Sequence, residues 1–248
     1  VNDKQKLLRY AFDFLNSPNW ELASRAHTEW SQANAGDLSR VAKQLPVRQV
    51  RALIQDEKMP RHVRDLACLL LGHCGAESDA ALIRQRLEST EQEYGVVKHY
   101  SADGLKAHVM LKPKEGWAFV ESLTKNPRQP FIDRYAALQA TRYVFIEKKE
   151  LVHKTKIQQW YLGILHHTDL ADFAIEDFRK WQIWDHTDQV LALFGSKSHD
   201  VPAIKRAILR YALRCPEPAC DRFVAEQRRR DRDWVAETEE NLKLDVEP

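Results

Sequence analysis

The sequence predicts an all-α protein built from a row of helical hairpins. Three observations lead there. Apolar residues recur at three- and four-residue spacing, the period of a helix with one buried face. Alternating Val, Ile and Thr runs joined by Asn-Gly or Asp-Gly turns are absent, and only 8 of the 248 residues are glycine. Short amphipathic segments also follow one another with proline, glycine or asparagine breaks between them.

Taken in order, "DKQKLLRYAFDFL" carries Leu7, Leu8, Ala11, Phe12 and Leu15 at helical spacing and stops at Asn16 to Asn19. "WELASRAHTEWSQA" is the second segment, with Trp20, Leu22, Ala23, Ala26, Trp30 and Ala33 as its apolar marks and Gly36 as its expected stop. "DLSRVAKQL" and "PVRQVRALIQDE" are short helices split by Pro46. "PRHVRDLACLLLGHCG" has proline at its start and Gly75 past its end, the usual asymmetry of a helix. "SDAALIRQRLEST" follows, capped by Ser78 or Asp79. From Glu91 to Pro130 the pattern is irregular and richer in glycine, which predicts a distorted or inserted repeat; its one Asp-Gly pair, Asp103-Gly104, leads into helix-like sequence. Regular pairs resume with "RYAALQATRY", "IQQWYLGIL", "LADFAIEDFRKW", "DQVLALFG" and "DRFVAEQ".

One short signature recurs along this series, a residue, usually small or basic, then any two residues, then alanine. It appears at Ala23-x-x-Ala26, Arg64-x-x-Ala67, Gly104-x-x-Ala107, Arg134-x-x-Ala137, Ala171-x-x-Ala174 and Ile204-x-x-Ala207, with the alanines 41, 40, 30, 37 and 33 residues apart. Two helices per unit at that spacing is the range of helical-hairpin repeats. A small residue lets neighbouring helices approach closely, so successive hairpins can stack.

The stretches "RHVRDLACLLLGHCG", "RYAALQATRY" and "DLADFAIEDFRKWQIWD" resemble those of HEAT-like helical repeat proteins, and are similar to an uncharacterised bacterial group with this organisation. The resemblance runs from about Trp20 to about Trp234. It implies an α-α superhelix, a solenoid of about five to six hairpins forming one domain over residues 1–248, and it carries no activity.

Composition narrows the function classes. With 38 Lys plus Arg against 36 Asp plus Glu, the formal net charge is only +2. A non-specific nucleic-acid binder usually has a larger excess of positive charge, since phosphate neutralisation supplies its affinity. No apolar run reaches the length of about 18 residues that a membrane span needs. Cys68 and Cys74 would lie about 9 Å apart along one helix, too far to bridge. Cys215 and Cys220 flank Pro216 and Pro218, and four reduced thiols, two of them buried, are expected. The chain begins at Val1, which leads to the expectation of a removed leader and an exported location, in the periplasm or cell envelope, with the cytoplasm as the alternative.

No cofactor motif is present: there is no glycine-rich phosphate loop and no nucleophile elbow. His62, Cys68, His73 and Cys74 lack metal-ligand spacing, so no metal site is expected. Three groups of residues remain as candidate binding sites. Trp184, Asp185 and His186, with Arg179 before them, follow an apolar stripe of Leu170, Phe173, Ala174, Phe178 and Trp181. Thr168 is the expected cap of that helix, and Asp185 or Thr187 that of the next. The tryptophans are expected to seal the joint between paired helices, or else to line a groove with Asp185 and His186. Arg228, Arg229 and Arg230 form a basic run, either a solvated helix face or an anion patch. Trp160 and Tyr161 follow the lysine-rich "KKELVHKTK".

A non-catalytic scaffold that binds a protein or peptide partner on the concave face of the second helices is the expected function. The first alternative is a HEAT-like DNA-binding protein or alkylated-base DNA glycosylase, with Trp184, Asp185 and Arg179 as its site, against which the near-neutral charge weighs. The second is a structural module of a cell-envelope assembly.

Overall fold

The computed structural model describes residues 3–89, 99–126 and 128–245. Among the described residues there are fifteen α-helices and no strand, so the all-α expectation holds. The chain divides into two compact units, Val1–Lys154 and Thr155–Pro248. Part of the irregular stretch expected at 91–130, residues 91–98 and 127, lies outside the described residues.

The first unit contains α1 (Asp3–Phe12), α2 (Trp20–Ser31), α3 (Ala35–Ala42), α4 (Val47–Gln55), α5 (Arg61–Cys74), α6 (Ala80–Glu88), α7 (Ala102–Leu111), α8 (Pro113–Lys125) and α9 (Phe131–Glu147). Odd-numbered helices pack on one another in succession: α1 on α3, α3 on α5, α5 on α7 and α7 on α9. The intervening helices attach beside them, α4 to α5, α6 to α7, and α8 to both α7 and α9. The core runs along this row through Leu8, Trp30, Val50, Leu70, Leu105, Trp117 and Leu138, all fully buried or nearly so.

All six signature alanines are buried. Ala67, Ala107 and Ala137 belong to α5, α7 and α9, which pack in sequence. The closeness of that packing is visible at Gly72 of α5, where a Cβ would fall 2.9 Å from Ala107 Cα. Bulkier side chains at either position would force the two helix axes apart.

Helix starts follow the local chemistry. Asn19 caps α2 by accepting from the Glu21 and Leu22 N–H groups, Ser101 caps α7, and Asn34 and Asp37 bond reciprocally at the start of α3. Pro46, Pro60 and Pro130 stand immediately before α4, α5 and α9. Gly75 closes α5 as expected. Gly36 does not end α2; that helix stops at Ser31, and Gly36 sits in the first turn of α3. Trp20 and Leu22, expected on the apolar face of α2, are exposed, Trp20 at 75%. The buried part of α2 is Ala26 and Trp30, because its first turn lies beyond the reach of neighbouring side chains.

Two buried carboxylates fix the loops of this unit. Asp79, in the 3-10 turn Glu77–Asp79 ahead of α6, takes a fork from Arg51 of α4 at 2.6 and 3.0 Å and the Ala76 N–H at 2.9 Å. The forked Arg51 bonds hold its carboxyl below the usual range. Asp133 of α9 takes the Tyr100 N–H at 2.8 Å and the Gln129 amide at 2.7 Å, which ties the start of α7 to the start of α9.

The second unit contains α10 (Lys154–Ile164, entering from the last residue of the first unit), α11 (Ala171–Lys180), α12 (Thr187–Ala192), α13 (Pro202–Arg214), α14 (Pro218–Arg230) and α15 (Arg232–Lys243). The same alternation appears: α11 packs on α13 and α13 on α15, while α12 packs on α14. Pro202 and Pro218 stand at the first position of their helices, where the missing N–H costs nothing. Neither α11 nor α12 has the side-chain cap expected of Thr168, Asp185 or Thr187; the residues before them are Leu170 and His186, and Thr187 is turned into the core.

Helix α11 ends in a Schellman turn. Gln182 has φ of 54°, its N–H reaches Arg179 O at 3.1 Å, and the Ile183 N–H reaches Phe178 O at 2.9 Å. A left-handed conformation costs an L-residue about 1–2 kcal/mol and glycine none. Gln182→Gly is therefore expected to raise stability by about 0.5–1 kcal/mol, after the extra freedom glycine gives the unfolded chain. Urea denaturation of the two proteins checks it, and a lower midpoint for the glycine variant would contradict it.

Cys68, Cys74, Cys215 and Cys220 are all free, and all but Cys74 are buried. Burial pushes the Cys74 thiol up to about 11, so it stays protonated and unreactive near neutrality.

Candidate functional site

A cavity of about 880 Å³ opens in the first unit between α6 and α8, with α7 at its base. Proline creates its geometry. Pro113 at the first position of α8 drives the preceding Lys112 out of helical conformation, to φ −142° and ψ 75°, so α7 stops and α8 starts at one elbow. The returning α8 crosses α7 so closely that a Cβ at Gly116 would lie 2.6 Å from His108 C and O and from Val109 Cα. This contact places His108 and Lys112 of one arm beside Glu115 and Phe119 of the other. Arg84 approaches from α6, its guanidinium carbon 3.7 Å from the centre of the Phe119 ring. Ala80 and Ala81 on α6, and Ala118 and Ser122 on α8, keep the walls low.

The electrostatics of this cavity centre on His108. It is 3% exposed, and its Nδ1 is buried with no hydrogen-bond partner. Burial, and then the positive charge of Arg84, holds the imidazole below its ordinary value; Lys112 acts in the same direction. His108 is therefore neutral at pH 7. Arg84 pairs with Glu88 at 2.6 Å and Lys112 with Glu115 at 2.6 Å, each one turn along the chain and each with a carboxylate more than half exposed. Such surface pairs contribute little and exchange readily.

A second imidazole in this unit is tuned further. His73 of α5 shares a 2.8 Å hydrogen bond with the Tyr143 hydroxyl of α9, and its Nδ1 has no partner. Burial first, then the charges of Lys148 and Lys43, lower it to about 4. The folded state therefore resists a proton that the unfolded chain accepts near pH 6.5. Its contribution is complete above pH 6.5 and disappears as the pH falls toward 4. Allowing for the ring's partial exposure, about 2 kcal/mol is expected to be lost across that window. The melting temperature measured from pH 7 to 4 should fall more steeply for the parent than for His73→Gln; parallel curves would contradict it.

In the second unit Trp160 and Tyr161 are buried in the core, while Trp184 and His186 are half-buried at its edge. Tyr161 is fully buried, and its hydroxyl donates to Asp177 at 2.7 Å. Trp160 and Trp181 meet its ring edge-on at 5.1 and 5.0 Å. Trp184 stands edge-on to Tyr211 at 4.9 Å, and His186 lies against Phe178 at 5.8 Å. The tryptophans therefore sit where α10, α11 and α13 bury their apolar faces. Asp185 is exposed. Arg179, 4% exposed, bonds Glu176 and Asp245 at 2.8 and 2.7 Å, and Arg210 of α13 bonds the same two carboxylates. Two cations and two anions thus neutralise one another.

The basic run behaves as a solvated helix surface. Arg228 pairs with Glu239, Arg230 pairs with Glu226, and the Arg229 Nε reaches its own helix's Ala225 carbonyl at 3.4 Å; all three arginines are exposed. His62 and His73 turn to different partners, His62 to the His27 ring at 4.5 Å and His73 to Tyr143. Among the described residues no group of three or more His, Cys, Asp or Glu converges as metal ligands would, and no helix is long and apolar enough to cross a membrane.

Arg84, His108, Lys112 and Phe119 were not singled out in the sequence. The usable signal was the four-residue spacing of His108 and Lys112, which puts both on one helix face. Their partners on α6 and α8 become neighbours only through the elbow. No protein family, no curated protein and no solved structure matches the chain.

Proposed function

We propose that the chain is a non-catalytic scaffold that binds a protein or peptide partner, built as a HEAT-like α-α superhelix. The observation that carries this reading is the succession of alternate helices. The odd-numbered helices α1 to α9 pack in one row in the first unit, and α11, α13 and α15 do so in the second. Hairpins stacked in this way bury their apolar faces on each other and leave the second helices with a free flank. The open cavity between α6 and α8 lies on such a flank. Its polar groups are separate arms on a shallow wall, suited to gripping an extended segment at several points.

Selection of a displayed random-peptide library against the folded chain tests the proposal. Enriched peptides that bind in solution and compete with one another support it. A library that yields no binder, together with turnover in a hydrolase and glycosylase activity screen, would overturn it.

A further inference from the structure

The geometry points to Cys215 and Cys220 of the second unit as a disulfide pair, a covalent tie between the end of α13 and the first turn of α14 that a small disulfide of the glutathione class closes as the chain folds. The structure shows its reduced form, with both thiols free.

Local chain geometry brings the two positions together. Cys215 follows α13 directly, and its N–H is held by Tyr211 O at 3.0 Å. Cys220 lies in the first turn of α14, and its N–H is held by Glu217 O at 2.8 Å. Prolines fix what lies between. Cys215 precedes Pro216 and Glu217 precedes Pro218. Both adopt the extended backbone that a following proline imposes, with φ −76° and ψ 129° at Cys215 and φ −75° and ψ 136° at Glu217. A connection restrained in this way has little further freedom to lose on closure.

The sulfurs meet in the core. Cys215 is 5% exposed and Cys220 0%, and the Cys220 thiol is in hydrogen-bonding contact with Cys215. Cys215 Sγ also lies 3.4 Å from Thr187 Oγ1. A thiol is a weak donor and a weak acceptor, so little is lost when both hydrogens leave. Thr187 keeps the Trp184 carbonyl at 2.7 Å and the Tyr211 hydroxyl at 3.0 Å, so the new bond orphans no buried polar group. Cys68 and Cys74 supply the contrast, because both stand on the single helix α5 and cannot bridge along it.

Closure is a two-step exchange. One cysteine thiolate attacks the small disulfide, forms a mixed disulfide and expels one small thiolate; the second cysteine thiolate then displaces the other. The protein pair gives up two electrons and two protons, and the small disulfide takes them up as two thiols. Burial, and then contact with Cys215, push the Cys220 thiol above its ordinary value, so the folded pair does not ionise near neutrality. The exchange therefore takes place while the chain folds, before the core seals, and the folded contact then favours the product.

To test this, the full chain is reduced, unfolded in urea, refolded in a mixture of oxidised and reduced glutathione, alkylated and cut with trypsin. The cuts release Cys215–Arg222 with both of its cysteines, and Asp65–Arg84 with Cys68 and Cys74. The first peptide should be two hydrogens lighter than its dithiol and carry no label; the second should be fully labelled. In urea at the same glutathione ratio, the Cys215–Cys220 pair should be less oxidised, by about tenfold or more in its equilibrium constant. The oxidised protein should melt about 5 °C above the reduced one, a difference that Cys220→Ala abolishes. A labelled Cys215–Arg222 peptide after refolding, equal oxidation in buffer and urea, equal oxidation of the Asp65–Arg84 pair, or a midpoint that oxidation leaves unchanged or lowers would each overturn the assignment.

Discussion

Alanine at Gly116 is expected to cost the first unit about 3 kcal/mol of stability, the upper part of the range for overpacking. The reason is the identity of the atoms in the way. A Cβ at this position would lie 2.6 Å from three backbone atoms of α7, His108 C, His108 O and Val109 Cα. Backbone cannot rotate aside as a flexible side chain does. The elbow at Lys112 would have to open, lifting α8 and with it Trp117 and Val120, which are 1% and 0% exposed. Glycine's low helix propensity works in the other direction, since alanine favours the helix by about 1 kcal/mol. The clash outweighs that gain. Guanidinium denaturation should show a lower midpoint with an unchanged slope, and the cavity between α6 and α8 should widen. A variant as stable as the parent would show that the two helices are not in such close contact.

Trp30→Ala is expected to cost about 3–5 kcal/mol. Trp30 is 0% exposed in α2, and α2 packs on α1 alone among its principal contacts. A cavity of indole size at a fully enclosed position is the costly case. The Trp30 indole Nε1 is buried without a hydrogen-bond partner, so the ring is retained for its volume rather than for a polar contact. Trp30→Phe should then be far milder, about 1 kcal/mol, because it keeps most of the ring and removes the unpaired N–H. Thermal unfolding of the two variants separates these contributions. Equal losses in both would mean that the N–H, and not the volume, is what matters.

Many of the helices were legible because they carry their own punctuation. Pro46 and Pro60 stand just before helix starts and Gly75 follows a helix end, as read from the sequence; Pro130, Pro202 and Pro218 mark starts in the same way but were not used. These effects act within a few residues and need no knowledge of neighbours. The buried alanines were legible for a related reason, since a small residue repeated among bulky ones marks a close approach. Burial at helix ends was not legible. Trp20 has the composition of a core residue, but nothing covers the first turn of α2. The cap expected of Thr187 failed because its hydroxyl turns inward. Thr187 bonds Trp184 O, the Tyr211 hydroxyl and Cys215 instead of a helix terminus. The candidate site stayed hidden because its members are far apart in the chain, and the glycine that joins them reads in sequence as a mark of irregularity. At Gly116 that irregularity is close packing.

The quartet of Arg179, Arg210, Glu176 and Asp245 has a consequence for the segment that follows α15. Asp245 lies beyond α15, and among the described residues it and Glu176 are the two carboxylates paired with the two guanidinium groups. A protease that cut ahead of it would leave a pair of cations leaning on a single glutamate, with like charges confined where water hardly reaches. Asp245 thereby acts as a latch that ties the segment after α15 to both α11 and α13.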